Sequence, residues 1–385
     1  MTARRITVVT GTRAEFGLLE SSMREIERRT DLELTVVATG MHLSAQHGST
    51  VEEISAQGFE ITATVDTLLE SDTGRGMAKS LGLGIGGLAE CFVDLDPDIV
   101  LVLGDRGEAF AAGVAAAHLN VPVAHIHGGD AMTGATIDDS IRHALTKFAH
   151  VHFPATERSK ERILGLGEQA WRITTVGAPG LDDVIAGAFD DANTVVDGLG
   201  VADDLPLILV VQHPVTTQPD RAAAQMRTTL DAVDQFEAQP VVIYPNADAG
   251  GKRLLEVVQQ YAHQDGVTAV KNLPRRKYLG LLDAAAVLVG NSSSGIIEAP
   301  SFGLPVVDVG PRQAGRERAP NVTIVPHERE AIEEAIEAAL EDTTVRRRAA
   351  TCKNPYDRGG AATKIVDRLA SIDLDDRLLE KRITY

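Results

Sequence analysis

Ile6-Thr7-Val8-Val9-Thr10-Gly11-Thr12-Arg13-Ala14-Glu15-Phe16 decides how the chain folds. Five β-branched residues in a row predict a strand buried on both faces, because such residues pack well on a pleated surface. Gly11 ends the strand, and a helix is expected over about residues 16–29. The same strand–turn–helix phrase recurs. Residues 34–39 and 99–103 read as strands, the second running into Gly104-Asp105-Arg106. Residues 121–126 form another and end at His127-Gly128-Gly129; 151–153 and 173–176 add two more. Strands that alternate with helices give a parallel α/β sheet.

After an acidic, loop-like stretch at 190–204 a second series begins. Residues 207–211 are a continuous apolar strand that ends at Gln212-His213-Pro214. Met226, Leu230 and Val233, then Leu254, Val258 and Tyr261, repeat at helical spacing. Residues 241–244, 267–270, 287–289 and 306–309 continue the sheet, and 327–340 is a last amphipathic helix with Ile332, Ile336 and Leu340 in its stripe. Two such series predict two Rossmann-like, doubly wound domains with a cleft between them. We expect the first over 1–180, the second over 181–365, and a tail at 366–385 packing back on the first. Length agrees, since 385 residues exceed one ordinary domain.

Composition narrows the function. The net charge is −18, from 55 Asp+Glu against 37 Lys+Arg. That argues against a nucleic-acid binder, which needs a basic face, and against an anionic membrane surface. No apolar run reaches the roughly 18–20 residues of a spanning helix, and the first residues lack a signal-peptide core, so a cytoplasmic location is expected. Asp outnumbers Glu 30 to 25 and Arg outnumbers Lys 28 to 9. This fits a protein kept soluble by charge in high salt, and equally an ordinary acidic enzyme. Cys91 and Cys352 stand far apart, which excludes a disulfide framework and a cysteine zinc site.

Ligands of open α/β sheets sit beyond the carboxyl ends of the strands. Those ends hold Arg13, His42, Asp105, Arg106, His127, Asp130, His213, Asn246 and Ser293. Gly290-Asn291-Ser292-Ser293-Ser294-Gly295 separates a strand from a helix, so its free amides and hydroxyls suit a diphosphate, with Glu298 near enough for ribose hydroxyls. A serine-rich cap that binds nothing gives the same string. No Walker lysine follows, and Gly11-Thr12-Arg13 lacks the second glycine of a nicotinamide site. Asp105, Asp130 and Asp138 crowd carboxylates together, and paired carboxylates can divide into acid and base. His125, His127 and Asp130 also admit a metal reading, although the spacing is not that of a helical zinc motif.

At these residues the chain resembles the hydrolysing UDP-N-acetylglucosamine 2-epimerases of sialic and legionaminic acid biosynthesis. The resemblance is carried by Gly11-Thr12-Arg13-Ala14-Glu15, Gly104-Asp105-Arg106, His125-Ile126-His127-Gly128-Gly129 and Ile137-Asp138-Asp139-Ser140-Ile141-Arg142-His143. It continues through Gln212-His213-Pro214, Tyr244-Pro245-Asn246-Ala247-Asp248, the serine loop, and Gly310-Pro311-Arg312-Gln313-Ala314-Gly315-Arg316.

The resemblance implies a GT-B-like pair of Rossmann-like domains and no cofactor or metal. It implies elimination of UDP from UDP-N-acetylglucosamine to a glycal-like intermediate, then hydration to N-acetylmannosamine. Asp105 and Asp138 match family catalytic carboxylates, and His213 the histidine at the diphosphate. Arg13, Arg106, Ser293, Ser294, Gly295, Glu298 and Arg312 match the nucleotide-binding segments, and Asn246 and His42 residues lining the site. Many members read His-Ile-Glu-Gly-Gly where this chain has His127, so His127 or Asp130 is left to serve as the further acid or base. Relatives acting on 2,4-diacetamido sugars share the His-Ile-His-Gly-Gly form, which makes such a UDP-sugar the alternative substrate. A non-hydrolysing epimerase is the other alternative. A homo-oligomer, dimer or tetramer, is expected.

Overall fold

A computed structural model describes every residue except 1–2, 45–49, 70, 72, 133–136, 202–204, 246–247, 249, 265 and 272. The chain divides into two compact units. Unit 1 takes Met1–Ala131, Asp138–Asp182 and Arg358–Tyr385; unit 2 takes Met132–Ile137 and Asp183–Asp357. The chain returns to unit 1 at Arg358, where the sequence reading put the boundary at 366.

Unit 1 holds six parallel strands: β1 (Arg4–Thr10), β2 (Leu32–Thr39), β3 (Ala63–Val65), β4 (Ile99–Leu103), β5 (Val123–Ile126) and β6 (Val151–Phe153). Their order is β3-β2-β1-β4-β5-β6. Unit 2 repeats the plan with β7 (Leu207–Val211), β8 (Gln239–Ile243), β9 (Thr268–Val270), β10 (Val287–Gly290), β11 (Val306–Val309) and β12 (Val322–Val325). Their order is β12-β11-β10-β7-β8-β9. Counted from its own first strand, each sheet follows the Rossmann plan, in which the order reverses beside that strand. Both units are therefore α/β and doubly wound.

The β-branched runs explain the layers. Ile6 and Val8 of β1 join one apolar cluster, while Val9 joins another on the opposite face. In β7, Ile208 and Val210 face one layer, and Leu207, Leu209 and Val211 the other. Alternate residues of one strand thus feed two helix layers, as side chains of period two must. Ile365, Val366, Leu369 and Leu378 from the end of the chain lie in the same cluster as Ile6, Phe16 and Leu19. Met226, Leu230, Val233, Leu254, Val258 and Tyr261 are all buried.

Three readings need correction. Residues 173–176 form no strand; Ile173 makes one isolated bridge to His152. Val176 donates to the Pro154 carbonyl at 3.0 Å, but Pro154 has no N–H to return, so the ladder stops. β3 and β12 were not foreseen. Both are short edge strands, and Ile324 of β12 is exposed. The helix after the serine loop is one turn, Ser294–Ile297, followed by a 3₁₀ turn at Ala299–Phe302. The loop therefore offers local N–H and hydroxyl groups and little summed helix dipole. No helix among the described residues is long and apolar enough to cross a membrane.

Candidate active site

In each sheet the strand order reverses between two neighbours, and that is where a crevice opens at the carboxyl ends. In unit 2 the neighbours are β7 and β10. β7 delivers Gln212 and His213; β10 delivers Gly290 and Asn291. The Asn291 side chain clamps the two ends together. Its Oδ1 accepts the His213 backbone N–H at 2.7 Å, and its Nδ2 donates to the His213 carbonyl at 2.9 Å. Gly290 has φ +133°, and a Cβ there would lie 2.3 Å from the Val211 carbonyl oxygen. Only glycine allows the backbones to meet so closely.

Behind the clamp, the Asn291 carbonyl accepts from Arg312 Nη1 at 3.2 Å and Gln313 Nε2 at 2.8 Å. Arg318 reaches Asp308 at 3.1 Å. Burial pushes the Asp308 carboxyl up to about 6, against the pull of Arg318, Arg312 and Arg316. This brings a group of arginines to the end of β11 in a protein of net charge −18. Ser294 Oγ bonds Ser292 Oγ at 3.0 Å and Tyr278 Oη at 2.5 Å. Ser293 is half-buried and makes no side-chain capping bond to this turn. Gly295 is set by packing, since a Cβ would come 2.8 Å from Leu288 and Val306. Glu298 is buried and takes Arg275 Nη1 at 3.5 Å. Asn246 lies outside the described residues.

In unit 1 the reversal falls between β1 and β4, and the chemistry differs. Asp105, one residue beyond Gly104 at the end of β4, is ion-paired with Arg142. Arg142 belongs to the helix Ile137–Phe148, whose first turn carries Asp138 and Asp139. Asp139 also lies 3.7 Å from His143, whose imidazolium burial disfavours and Asp139 favours. His125 on β5 places Nε2 2.7 Å from the Gly104 carbonyl. A carbonyl only accepts, so this ring carries its proton on Nε2. Burial pushes its pKa down to about 3, which keeps it neutral.

His127 follows β5 in the left-handed region, φ +64°, and is buried with Asp130. A side chain held at positive φ is a conformation that surrounding structure must impose, and such residues cluster at functional sites. Among the described residues no group of three or more His, Cys, Asp or Glu is placed to hold a metal ion.

Two expected contacts are already engaged. His42 is 0% exposed, with its ring nitrogens on Thr10 Oγ1 at 3.1 Å and Thr50 Oγ1 at 2.8 Å. It braces the end of β1 against the start of the helix Val51–Ala56. Arg13 is ion-paired with Glu53. At the start of the helix Arg13–Glu27, Thr12 Oγ1 accepts the Glu15 N–H and Glu15 folds back onto the Gly11 N–H at 2.7 Å. The Glu15 carboxyl thus occupies the helix N-terminus itself, in the manner of a capping box. Burial, with the charge of Glu108, pushes the Glu15 carboxyl up to about 8 against the Gly11 N–H. Arg106 lies 3.7 Å from Glu108.

A family model described as UDP-N-acetylglucosamine 2-epimerase matches residues 24–370. The chain belongs to that family. It is 38% identical over 382 residues to the UDP-N,N'-diacetylbacillosamine 2-epimerase (hydrolyzing) of Legionella pneumophila subsp. pneumophila, covering 99% of this chain and 100% of that one. It is 33% identical over 336 residues to a UDP-N-acetylglucosamine 2-epimerase of Neisseria meningitidis serogroup B, with 87% of each covered. The crystal structure of a Neisseria meningitidis UDP-GlcNAc 2-epimerase bound to UDP-GlcNAc shares the fold: TM-score 0.80, 20% identity, 96% of this chain and 100% of that one.

The protein is thus a UDP-sugar 2-epimerase. The sequence places His213 and Ser293 of this epimerase at strand ends, and the resemblance adds Glu298 and Arg312. Sequence reasoning missed the groups that hold them. Asn291 lies 78 residues from His213, and nothing local signals the clamp. Arg142, Gln313, Arg275 and Tyr278 were missed for the same reason.

Proposed function

We propose that this epimerase is of the hydrolysing kind and acts on a UDP-2,4-diacetamido sugar. The observation that carries the reading is the 38% identity along the full chain to the Legionella protein of that activity. His127 at the end of β5 supports it, since the resemblance pairs that form with diacetamido substrates. In unit 2, Ser293, the loop amides and Arg312 take the diphosphate, and Glu298, steadied by Arg275, accepts the ribose hydroxyls. In unit 1, Asp105, His127, Asp130 and Asp138 supply the proton chemistry.

One of these groups removes the C2 proton while the C1–O bond breaks, and the electron pair leaves with UDP, which His213 steadies. The glycal-like alkene then takes hydroxyl from water at C1 and a proton at C2 from the opposite face. The products are UDP and a free sugar inverted at C2.

The second reading keeps the reaction and takes UDP-N-acetylglucosamine, as the name of the 33%-identical relative favours. Mass spectrometry after incubation with each nucleotide sugar separates them. The expected result is UDP plus a free 2,4-diacetamido hexose, at a kcat/KM at least roughly tenfold above that for UDP-N-acetylglucosamine. Preference for UDP-N-acetylglucosamine establishes the second reading. Release of UDP from neither overturns both.

A further inference from the structure

The end of the chain and the far end of the helix Ile137–Phe148 meet at one buried carboxylate. Glu168 is 2% exposed. It receives Lys147 Nζ at 2.6 Å and Lys381 Nζ at 2.8 Å, and His152 Nε2 lies 3.3 Å away. Lys381 Nζ also reaches the carbonyls of Thr146 at 3.1 Å, Lys147 at 2.9 Å and Ala149 at 2.6 Å. The last carbonyls of a helix have no partner within it and carry its negative pole. An ammonium ion closes that pole here. The tail that brings it is fastened. Arg172, fully buried, donates to the carbonyls of Leu378 at 2.7 Å and Arg377 at 2.8 Å. Thr384 N donates to the Gly167 carbonyl at 3.0 Å.

The other end of this helix carries Asp138, and its middle carries the Arg142 that pairs with Asp105. We propose that Lys381 is a positioning residue, which caps the helix Ile137–Phe148 and so holds Asp138 and the Arg142–Asp105 pair in register for proton transfer. This rests on the roles given above to Asp105 and Asp138. A helix is a rigid rod of about 1.5 Å per residue, so a slip at one end is felt at the other. Displacements near 1 Å are costly to catalysis.

The groups facing Lys381 are Glu168, Lys147, Arg172, His150 and His152. Burial pushes the ammonium down to about 8, against the attraction of Glu168. Its folded value lies below the ordinary 10.5, so above pH 8 the native state releases a proton that the unfolded state keeps. Stability from this group therefore rises between pH 8 and 10.5 while the capping charge disappears. Activity and stability are expected to part on the alkaline side.

Full-length Lys381→Met and Lys381→Arg test the proposal, by kcat and KM from about pH 6.5 to 9.5 and by hydrogen exchange over residues 138–148. We expect Lys381→Met to lose roughly 10- to 100-fold in kcat with KM within about twofold, and its helix amides to exchange faster. We expect the wild-type alkaline fall near pH 8 to move upward in Lys381→Arg, whose guanidinium stays charged. Wild-type kcat and exchange in Lys381→Met, or an unmoved alkaline limb in Lys381→Arg, overturns the proposal. Should Lys381→Met fail to fold, the limb in Lys381→Arg decides. If the wild type turns over no UDP-sugar, the functional reading fails, and the exchange measurement on Lys381→Arg and Lys381→Met still decides whether Lys381 holds the helix.

Discussion

The two crevices of this protein are built on one topology and filled with opposite chemistry. At the β7–β10 reversal unit 2 gathers Ser293, Arg312, the loop amides and a glutamate steadied by arginine. In unit 1 Asp105 follows β4, His127 and Asp130 follow β5, and Asp138 opens the helix Ile137–Phe148, while the helix N-terminus after β1 is filled by its own Glu15. Strand order says where a ligand binds; the residues past each strand end say what is done to it. A site for a leaving diphosphate needs donors and positive charge, whereas a site for proton transfer needs groups that can lose and regain protons. Placing the two sets on separate units lets each be tuned without the other.

The division can be broken by substitution, with the largest effects expected in unit 1. Asp105→Asn and Asp138→Asn each remove a carboxylate assigned to proton transfer. We expect each to lower kcat by about 10²–10⁴-fold with UDP affinity unchanged, measured by steady-state UDP release and by calorimetry. Asn291→Ala strikes the clamp in unit 2. It strips the His213 backbone of both bonds, and UDP affinity should fall roughly 10- to 100-fold, read by calorimetry. Glu298→Gln should weaken UDP binding by about tenfold and leave 2′-deoxy-UDP less affected, because the ribose hydroxyls are what the carboxylate reads. An equal loss for both nucleotides would remove that assignment.

The smallest effect sharpens the comparison through pH. His125 and His42 are held neutral by burial, to about 3 and about 4. Below pH 6.5 the unfolded chain binds protons that the native rings refuse. Stability should therefore fall steadily as pH drops from about 6.5 toward 4. His125→Asn should flatten that slope, measured as the urea midpoint against pH; an unchanged slope would show that the ring is not held neutral.

How far the sequence could be read depends on the range of the interactions. Residues 99–103 and 207–211 were readable to the residue, because each is a continuous apolar run of a buried parallel strand, and 151–153 and 306–309 because only one polar residue interrupts theirs. Residues 63–65 and 322–325 were not, because these two edge strands are only partly buried and carry no such run. The strand-end positions of Asp105, His213 and Ser293 came from the strands themselves. Asn291, Gln313, Arg142 and Lys381 act across the fold, and a single sequence carries no mark of partners so far away. The reading of Arg13 and His42 as ligand contacts had no means of seeing Glu53, Thr10 and Thr50 engage them first.

The central claim, elimination of UDP followed by hydration, is tested most directly by turnover in deuterated water, with proton NMR of the sugar. The account predicts free UDP together with a free sugar whose C2 position carries deuterium and inverted configuration. A sugar that keeps its C2 proton, or a C2-inverted sugar still joined to UDP, would contradict it.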